Sequence, residues 1–125
     1  MTLEKFTIKA QETVQEAVNL AQRNNQQAIE PIHLLVALND KAADVATFIY
    51  QKLGVNKQQM DTLANSEIQH LPRVQGGEPY LSPDANKVLL EAQDISRKMG
   101  DEFVSVEPII MALLKVNSSA SRIMK

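Results

Sequence analysis

The stretch "IEPIHLLVAL", residues 29–38, decides how the fold is interpreted. Pro31 suits the first turn of an α-helix because it has no N–H to donate there. The residues that follow are almost all apolar, so they predict a short helix, from about Pro31, that is buried on every side. Glu30 and His33 raise a second interpretation, a reactive acid and base pair, which the second half of the chain tests.

The pattern around this stretch returns 75 residues later without a gap. Thr7 aligns with Ser82, and both residue types favour the N-cap of a helix. The apolar run 34–38 aligns with the apolar run 109–113. The helical stripe Ala10, Val14, Ala17 and Leu20 aligns with Ala85, Leu89, Ala92 and Ile95. The agreement in both apolar phase and caps indicates an internal repeat.

The repeat answers the question about Glu30 and His33. His33 aligns with Pro108, so the second copy has no histidine at this position. A repeat that dispenses with the imidazole in one copy does not need it for its fold. We therefore interpret Glu30 and Pro31 as helix-start residues and His33 as a packed histidine.

We predict an all-α fold, a tandem repeat of two four-helix motifs with pseudo-twofold symmetry, in which the second repeat is truncated at its last helix. Residues 1–125 are expected to form a single domain with no β-sheet. Repeat one covers about 3–69 and repeat two about 82–125. The segment "HLPRVQGGEPYL", residues 70–81, holds two of the five prolines and two of the four glycines, which is typical of a linker. The long stripe of the second repeat is expected to run from Ala85 to Met99.

Composition excludes several functions. There are no cysteines, the net charge is -2, and the 13 Lys and Arg residues are scattered. We expect no nucleic-acid binding, because there is no basic stripe, and no membrane span. The two histidines lie in different elements, and nucleotide-binding and nucleophile motifs are missing. The sequence predicts a cytoplasmic protein without catalytic residues, metal or cofactor of its own.

Two motifs carry a family resemblance. "AIEPIHLL", residues 28–35, and "HLPRVQGG", residues 70–77, stand at the second helix and the linker of the two repeats. Their combination resembles the Clp amino-terminal (Clp repeat) domain, most closely the branch found in ClpB-type disaggregases. The adaptor-dependent branch usually reads closer to "GTEHILLGL", which this chain does not match. The resemblance covers the whole chain.

The resemblance implies a function and a longer parent protein. It implies a module that binds exposed apolar segments of unfolded or aggregated proteins and passes them to an ATPase ring. The parent would be a homohexameric ATPase using ATP and Mg, cooperating with an Hsp70-type system, and this chain would be an excised, monomeric fragment. The alternative is an adaptor-docking module, which would present a defined polar surface instead of an adaptable apolar one.

Four residues are candidate client-binding positions. Leu90 lies off the core stripe of its helix, and its repeat counterpart is Gln15, so the second copy adds an apolar side chain. The resemblance adds Thr7, Asp101 and Glu107 as residues implicated in chaperone action. Each also has a structural explanation: Thr7 as a helix cap, Asp101 as the residue after a helix-ending glycine, and Glu107 as a carboxylate in a first helical turn. We expect these three residues to flank a groove that contains Leu90.

Overall fold

The computed structural model describes residues 3–125, so residues 1 and 2 of the predicted domain lie outside it. The chain order of its elements is α1 (Ile8–Arg23), β1 (Ala28–Ile29), α2 (Pro31–Lys41), α3 (Ala43–Leu53), α4 (Lys57–Gln69), β2 (Tyr80–Leu81), α5 (Pro83–Lys98), α6 (Val106–Lys115) and α7 (Ser119–Met124). The predicted all-α fold is confirmed. The expectation of no β-sheet is wrong in detail, because β1 and β2 form a two-residue parallel pair.

The long helices of the two halves begin in the same way. Thr7 Oγ1 accepts a hydrogen bond from Ala10 N–H at 3.2 Å, and Ser82 Oγ accepts one from Ala85 N–H at 3.0 Å. Each cap satisfies one of the backbone N–H groups that a helix start leaves unpaired. Helices α1 and α5 both contain 16 residues, and they start 75 residues apart.

Two short parallel contacts connect the halves. Ile29 of β1 pairs with Leu81 of β2, and Phe6 forms an isolated parallel bridge with Val104. The offset of 75 residues turns one pair into the other, since it relates Phe6 to Leu81 and Ile29 to Val104. The segment before each long helix thus pairs with the opposite half, which is the arrangement that pseudo-twofold symmetry produces.

Helix α2 lies at the centre of the core. It contacts α1, α3, α4, α5, α6 and α7, which explains why its sequence is apolar on all sides. Its large side chains are fully buried: Ile32, Leu34, Leu35 and Leu38. Burial of each such side chain contributes about 1.5–3 kcal/mol relative to exposure. The apolar stretch at residues 29–38 therefore supplies the centre of the hydrophobic core.

The second long helix ends earlier than its stripe predicts. Met99 is 53% exposed and forms the C-cap of α5, so its assignment to the core stripe is wrong. Gly100 follows with a φ of 80°, a conformation that glycine adopts without strain.

The predicted linker is irregular over most of its length. Residues 70–79 carry neither helix nor strand, whereas 80–81 form β2. The division into repeats at 3–69 and 82–125 stays a prediction.

Candidate functional site

Thr7 and Glu107 lie together where the starts of α1 and α6 meet. The backbone explains this proximity, because Thr7 N–H donates to Val104 O at 2.9 Å next to the Phe6–Val104 bridge. Glu107 is exposed in the first turn of α6, where the helix dipole favours a carboxylate by about 0.3–1 kcal/mol. Both residues line a pocket of about 180 Å³, together with Lys9, Val45, Ser105 and Val106.

Asp101 lies at the end of α5 and does not line that pocket. Its backbone N–H donates to Ser96 O at 3.0 Å, and Gly100 N–H donates to Arg97 O at 3.1 Å. These two bonds form a Schellman motif, which satisfies carbonyl groups at the helix end. The backbone of Asp101 thus closes a helix, while its side chain is exposed.

Leu90 lies on α5 and is 52% exposed, whereas its chain neighbour Leu89 is fully buried. It does not line the pocket of Thr7 and Glu107. The structure therefore brings together two of the four predicted residues. Pro83, Asn86 and Leu90 share one face of α5, because they are spaced i, i+3 and i+7. Pro83 and Asn86 line a larger groove nearby, and Leu90 is not among its lining residues.

This groove, here called the α1–α5 groove, has a volume of about 570 Å³. Val14 and Ile29 in its lining are almost completely buried, whereas Tyr80 is half-exposed at its rim. None of its lining residues carries a charge. They are Leu3, Val14, Gln15, Val18, Ile29, Pro79, Tyr80, Leu81, Pro83 and Asn86. Sequence reasoning missed the groove, although Val18, next to Ala17 of the α1 stripe, and Leu81 at the end of the linker were available signals.

The repeat relates the groove to Leu90. Gln15 and Pro83 both line the groove, and the offset of 75 residues makes Leu90 and Ile8 their counterparts. Pseudo-twofold symmetry therefore predicts that Leu90 and Ile8 also face one another. Both are strongly exposed, at 52% and 76%. We infer an apolar surface at the counterpart position, on the same face of α5 as Pro83 and Asn86.

His33 lies away from these surfaces and is fully buried. Its Nδ1 accepts a hydrogen bond from Glu30 N–H at 2.9 Å. Nε2 must then carry the proton, and it donates to Gln26 Oε1 at 2.7 Å. Burial lowers the pKa of His33 to about 4, so the imidazole is neutral near pH 7. These contacts agree with the interpretation of His33 as a packed histidine.

Other site chemistries find no support in residues 3–125. Within this range, no group of three or more His, Cys, Asp or Glu side chains could hold a metal ion. No helix in the same range has both the length and the apolarity needed to cross a membrane.

Comparison with known proteins identifies the family. Residues 5–125 match the family model described as "Clp repeat (R) N-terminal domain". The chain belongs to the Clp repeat N-terminal domain family. The predicted resemblance is thereby confirmed.

Two bacterial relatives are similar over the whole of this Clp repeat domain. Chaperone protein ClpB of Bacteroides thetaiotaomicron is 53% identical over 125 residues, and that of Porphyromonas gingivalis is 44% identical over 125 residues. The chain covers 100% of itself in both alignments but only 14% of each relative. The similarity therefore concerns one module of a much longer protein.

Solved structures share the fold of this Clp repeat domain. The Hsp104 N-terminal domain from Candida albicans matches with a TM-score of 0.86 at 23% identity, covering 96% of this chain and 79% of that one. The N-terminal domain of the ClpV1 ATPase from E. coli matches with a TM-score of 0.85 at 17% identity, covering 98% and 77%. At these identities the likeness establishes the fold alone.

Proposed function

We propose that this Clp repeat domain is the substrate-binding module of an ATP-dependent protein disaggregase or unfoldase. It binds exposed apolar segments of unfolded or aggregated proteins and passes them to the ATPase ring of its parent. The observation that carries the proposal is the open α1–α5 groove, whose lining is largely apolar and uncharged. Similarity to chaperone protein ClpB over the whole chain supports it.

The groove has the properties that a promiscuous binding site requires. Unfolded proteins share exposed apolar side chains but no common sequence. A site for them must therefore gain binding energy from burying apolar side chains and must not require charged residues at fixed positions. An open groove accepts a few such side chains, each contributing about 0.8 kcal/mol per buried CH₂ group before the costs of ordering the client. Weak, reversible binding is the expected result, and it suits a module that must release its client to a ring.

The polar candidates have a positioning role in this proposal. Thr7 and Glu107 share a pocket, Leu90 lies on α5, and Asp101 follows the end of that helix. We propose that Thr7, Asp101 and Glu107 orient a client segment whose apolar side chains contact Leu90. ATP and Mg binding, assembly into a homohexamer, cooperation with an Hsp70-type system and a cytoplasmic location are proposed for the parent protein.

Adaptor docking is the second candidate function. The exposed carboxylates of Asp101 and Glu107 favour it, because they offer two defined anionic groups on the surface. Defined polar groups of this kind suit a folded partner with complementary charges. In that case unfolded proteins would not bind to the isolated domain.

The test measures binding of a fluorescently labelled, reduced and carboxymethylated protein, which stays unfolded, by fluorescence anisotropy. Leu90→Gln copies the counterpart Gln15, and we expect it to weaken binding about threefold to tenfold, because it removes apolar contact area. The matched control is Leu63→Gln, because Leu63 is 48% exposed, close to the 52% of Leu90, and lies on α4 instead of α1 or α5. Absence of binding by the wild-type domain would favour adaptor docking, and equal effects of both variants would contradict the role of Leu90.

A further inference from the structure

Phe6 and Leu81 occupy equivalent positions in the two short parallel contacts. Val104 N–H donates to Lys5 O at 2.7 Å, and Thr7 N–H donates to Val104 O at 2.9 Å, so the bonds to Val104 come from the neighbours of Phe6. Because the backbone groups of a strand alternate in direction, the N–H and C=O of Phe6 point away from Val104. They form the outer edge of this contact.

Leu81 is placed in the same way in the second contact. Tyr80 N–H donates to Gln27 O at 3.0 Å, and Ser82 N–H donates to Ile29 O at 3.0 Å. The N–H and C=O of Leu81 therefore point away from β1. Leu81 also lines the α1–α5 groove, so this outer edge lies beside an open groove whose lining residues are uncharged.

The two outer edges differ in their hydrogen bonds. Phe6 N–H donates to Leu3 O at 3.0 Å, and Phe6 O accepts from Gln11 Nε2 at 2.9 Å, so the first edge is closed by the chain itself. The counterpart of Gln11 is Asn86, whose side chain is shorter by one CH₂ group. Within residues 3–125, neither the N–H nor the C=O of Leu81 has such an additional hydrogen bond. Among the described residues, the backbone groups of the second edge therefore have no partner.

We propose that the α1–α5 groove binds its client segment in an extended conformation, as an added strand paired with the backbone of Leu81. The client accepts a hydrogen bond from Leu81 N–H, donates one to Leu81 O, and places an apolar side chain against Val14 and Val18. An extended chain fits because its N–H and C=O groups point sideways, whereas a helix uses these groups internally. The inference rests on the proposed function and adds the backbone contact and the conformation of the client.

Backbone pairing explains how one groove serves many clients. Every polypeptide carries the same N–H and C=O groups, so the pairing does not depend on sequence. The uncharged lining selects only for an uncharged, apolar side chain at the paired position. Asn86 lies in the groove with an amide that can bond to the same client backbone.

The first experiment uses the acetylated and amidated peptide TSVIVTS as a probe, together with two versions that are N-methylated at alternate residues, one at the odd and one at the even positions. Only one edge of the peptide can face Leu81, so we expect one methylated version to lose at least tenfold in affinity and the other to bind like the parent peptide. Equal binding by both versions, equal loss in both, or no binding of the parent peptide overturns the pairing.

The second experiment locates the contact by amide hydrogen exchange of the full chain. We expect the parent peptide to slow exchange at Leu81 at least fivefold and to leave Phe6 unchanged, since the Phe6 N–H is already bonded. Asn86→Gln lengthens the side chain to match Gln11, so its amide should donate to Leu81 O, occupy that half of the edge and weaken peptide binding. Gln11→Asn is the matched control and should leave peptide binding unchanged.

The results separate this inference from the proposed function. If Leu81 exchange does not change while the peptide is bound, or if Gln11→Asn weakens binding as much as Asn86→Gln does, strand pairing is wrong. The proposed function would still stand if the unfolded protein binds and Leu90→Gln weakens that binding. If the unfolded protein does not bind to the wild-type domain, both fail.

Discussion

His33 and Gln26 are joined side chain to side chain inside the domain, with 2.7 Å between His33 Nε2 and Gln26 Oε1. Gln26 in turn donates from Nε2 to the carbonyl oxygen of Ile68 at 2.6 Å. This chain of bonds ties the start of α2 to the end of α4 through a loop residue. Since His33, Gln26 and Ile68 are all buried, each polar atom in the chain depends on its partner.

We expect the stability of the domain to fall in acid because of His33. Burial lowers its pKa from 6.5 to about 4, so between these values the unfolded chain binds more protons than the folded one. The contribution is complete above about pH 6.5 and is lost as the pH falls to about 4, with a total of about 3 kcal/mol. Urea unfolding of wild type and His33→Gln across this range measures it. The difference in unfolding free energy between them should shrink in acid, and a constant difference would contradict the prediction.

Tyr50→Phe should destabilise the domain by about 1–2 kcal/mol. Tyr50 is buried, and its hydroxyl donates to Asn39 Oδ1 at 2.7 Å, while Asn39 Nδ2 donates to Asp61 Oδ1 at 2.8 Å. The substitution leaves the buried Asn39 oxygen without its donor. Chemical denaturation measures the change, and Tyr80→Phe at the exposed groove rim is the control, expected to alter stability by less than about 0.5 kcal/mol.

Thr7→Ala and Ser82→Ala should each cost about 1 kcal/mol, because each removes an equivalent helix cap. Thr7→Ser keeps the hydroxyl and should restore stability. The pair separates capping from client binding, since two variants of equal stability differ only in position. Loss of unfolded-protein binding in Thr7→Ala but not in Ser82→Ala would assign Thr7 a role beyond its cap, and equal binding would leave it structural.

Asp101→Ala and Glu107→Ala should weaken client binding with little change in the melting temperature. Both side chains are exposed, so we expect each change to alter stability by less than about 1 kcal/mol. Anisotropy of the labelled unfolded protein and thermal unfolding are measured on the same samples. If affinity follows only the melting temperature, the two carboxylates serve the fold and their assignment as client-binding residues is wrong.

The helices were predictable because their signals are local. Asn56 predicts the start of α4, and the structure shows its side chain accepting from Gln59 N–H at 2.9 Å. Gly54 predicts the end of α3 and adopts a φ of 73° there. Caps, glycines and apolar spacing act within a few residues, so a single sequence contains them.

The strands and the groove were not predictable, because both depend on contacts between distant residues. Ala28–Ile29 and Tyr80–Leu81 are too short for a period of two to be recognised, and they pair only when the halves meet. The groove arises where Val18 and Leu81 come within reach across the same interface. Met99 was misassigned because the stripe continues in the sequence after the helix has ended.

The two short parallel contacts between the halves also constrain the order in which the chain can fold. Phe6 forms its bridge with Val104, so the amino-terminal segment can pair only after residue 104 has been synthesised. Closing so long a loop is slow compared with forming helices, and it adds to the contact order of the domain. During synthesis on a ribosome, the first half would therefore form helices early. Its folding would become cooperative only after residues beyond 104 have emerged. Separated halves would each expose one unpaired segment and recover their structure best when mixed.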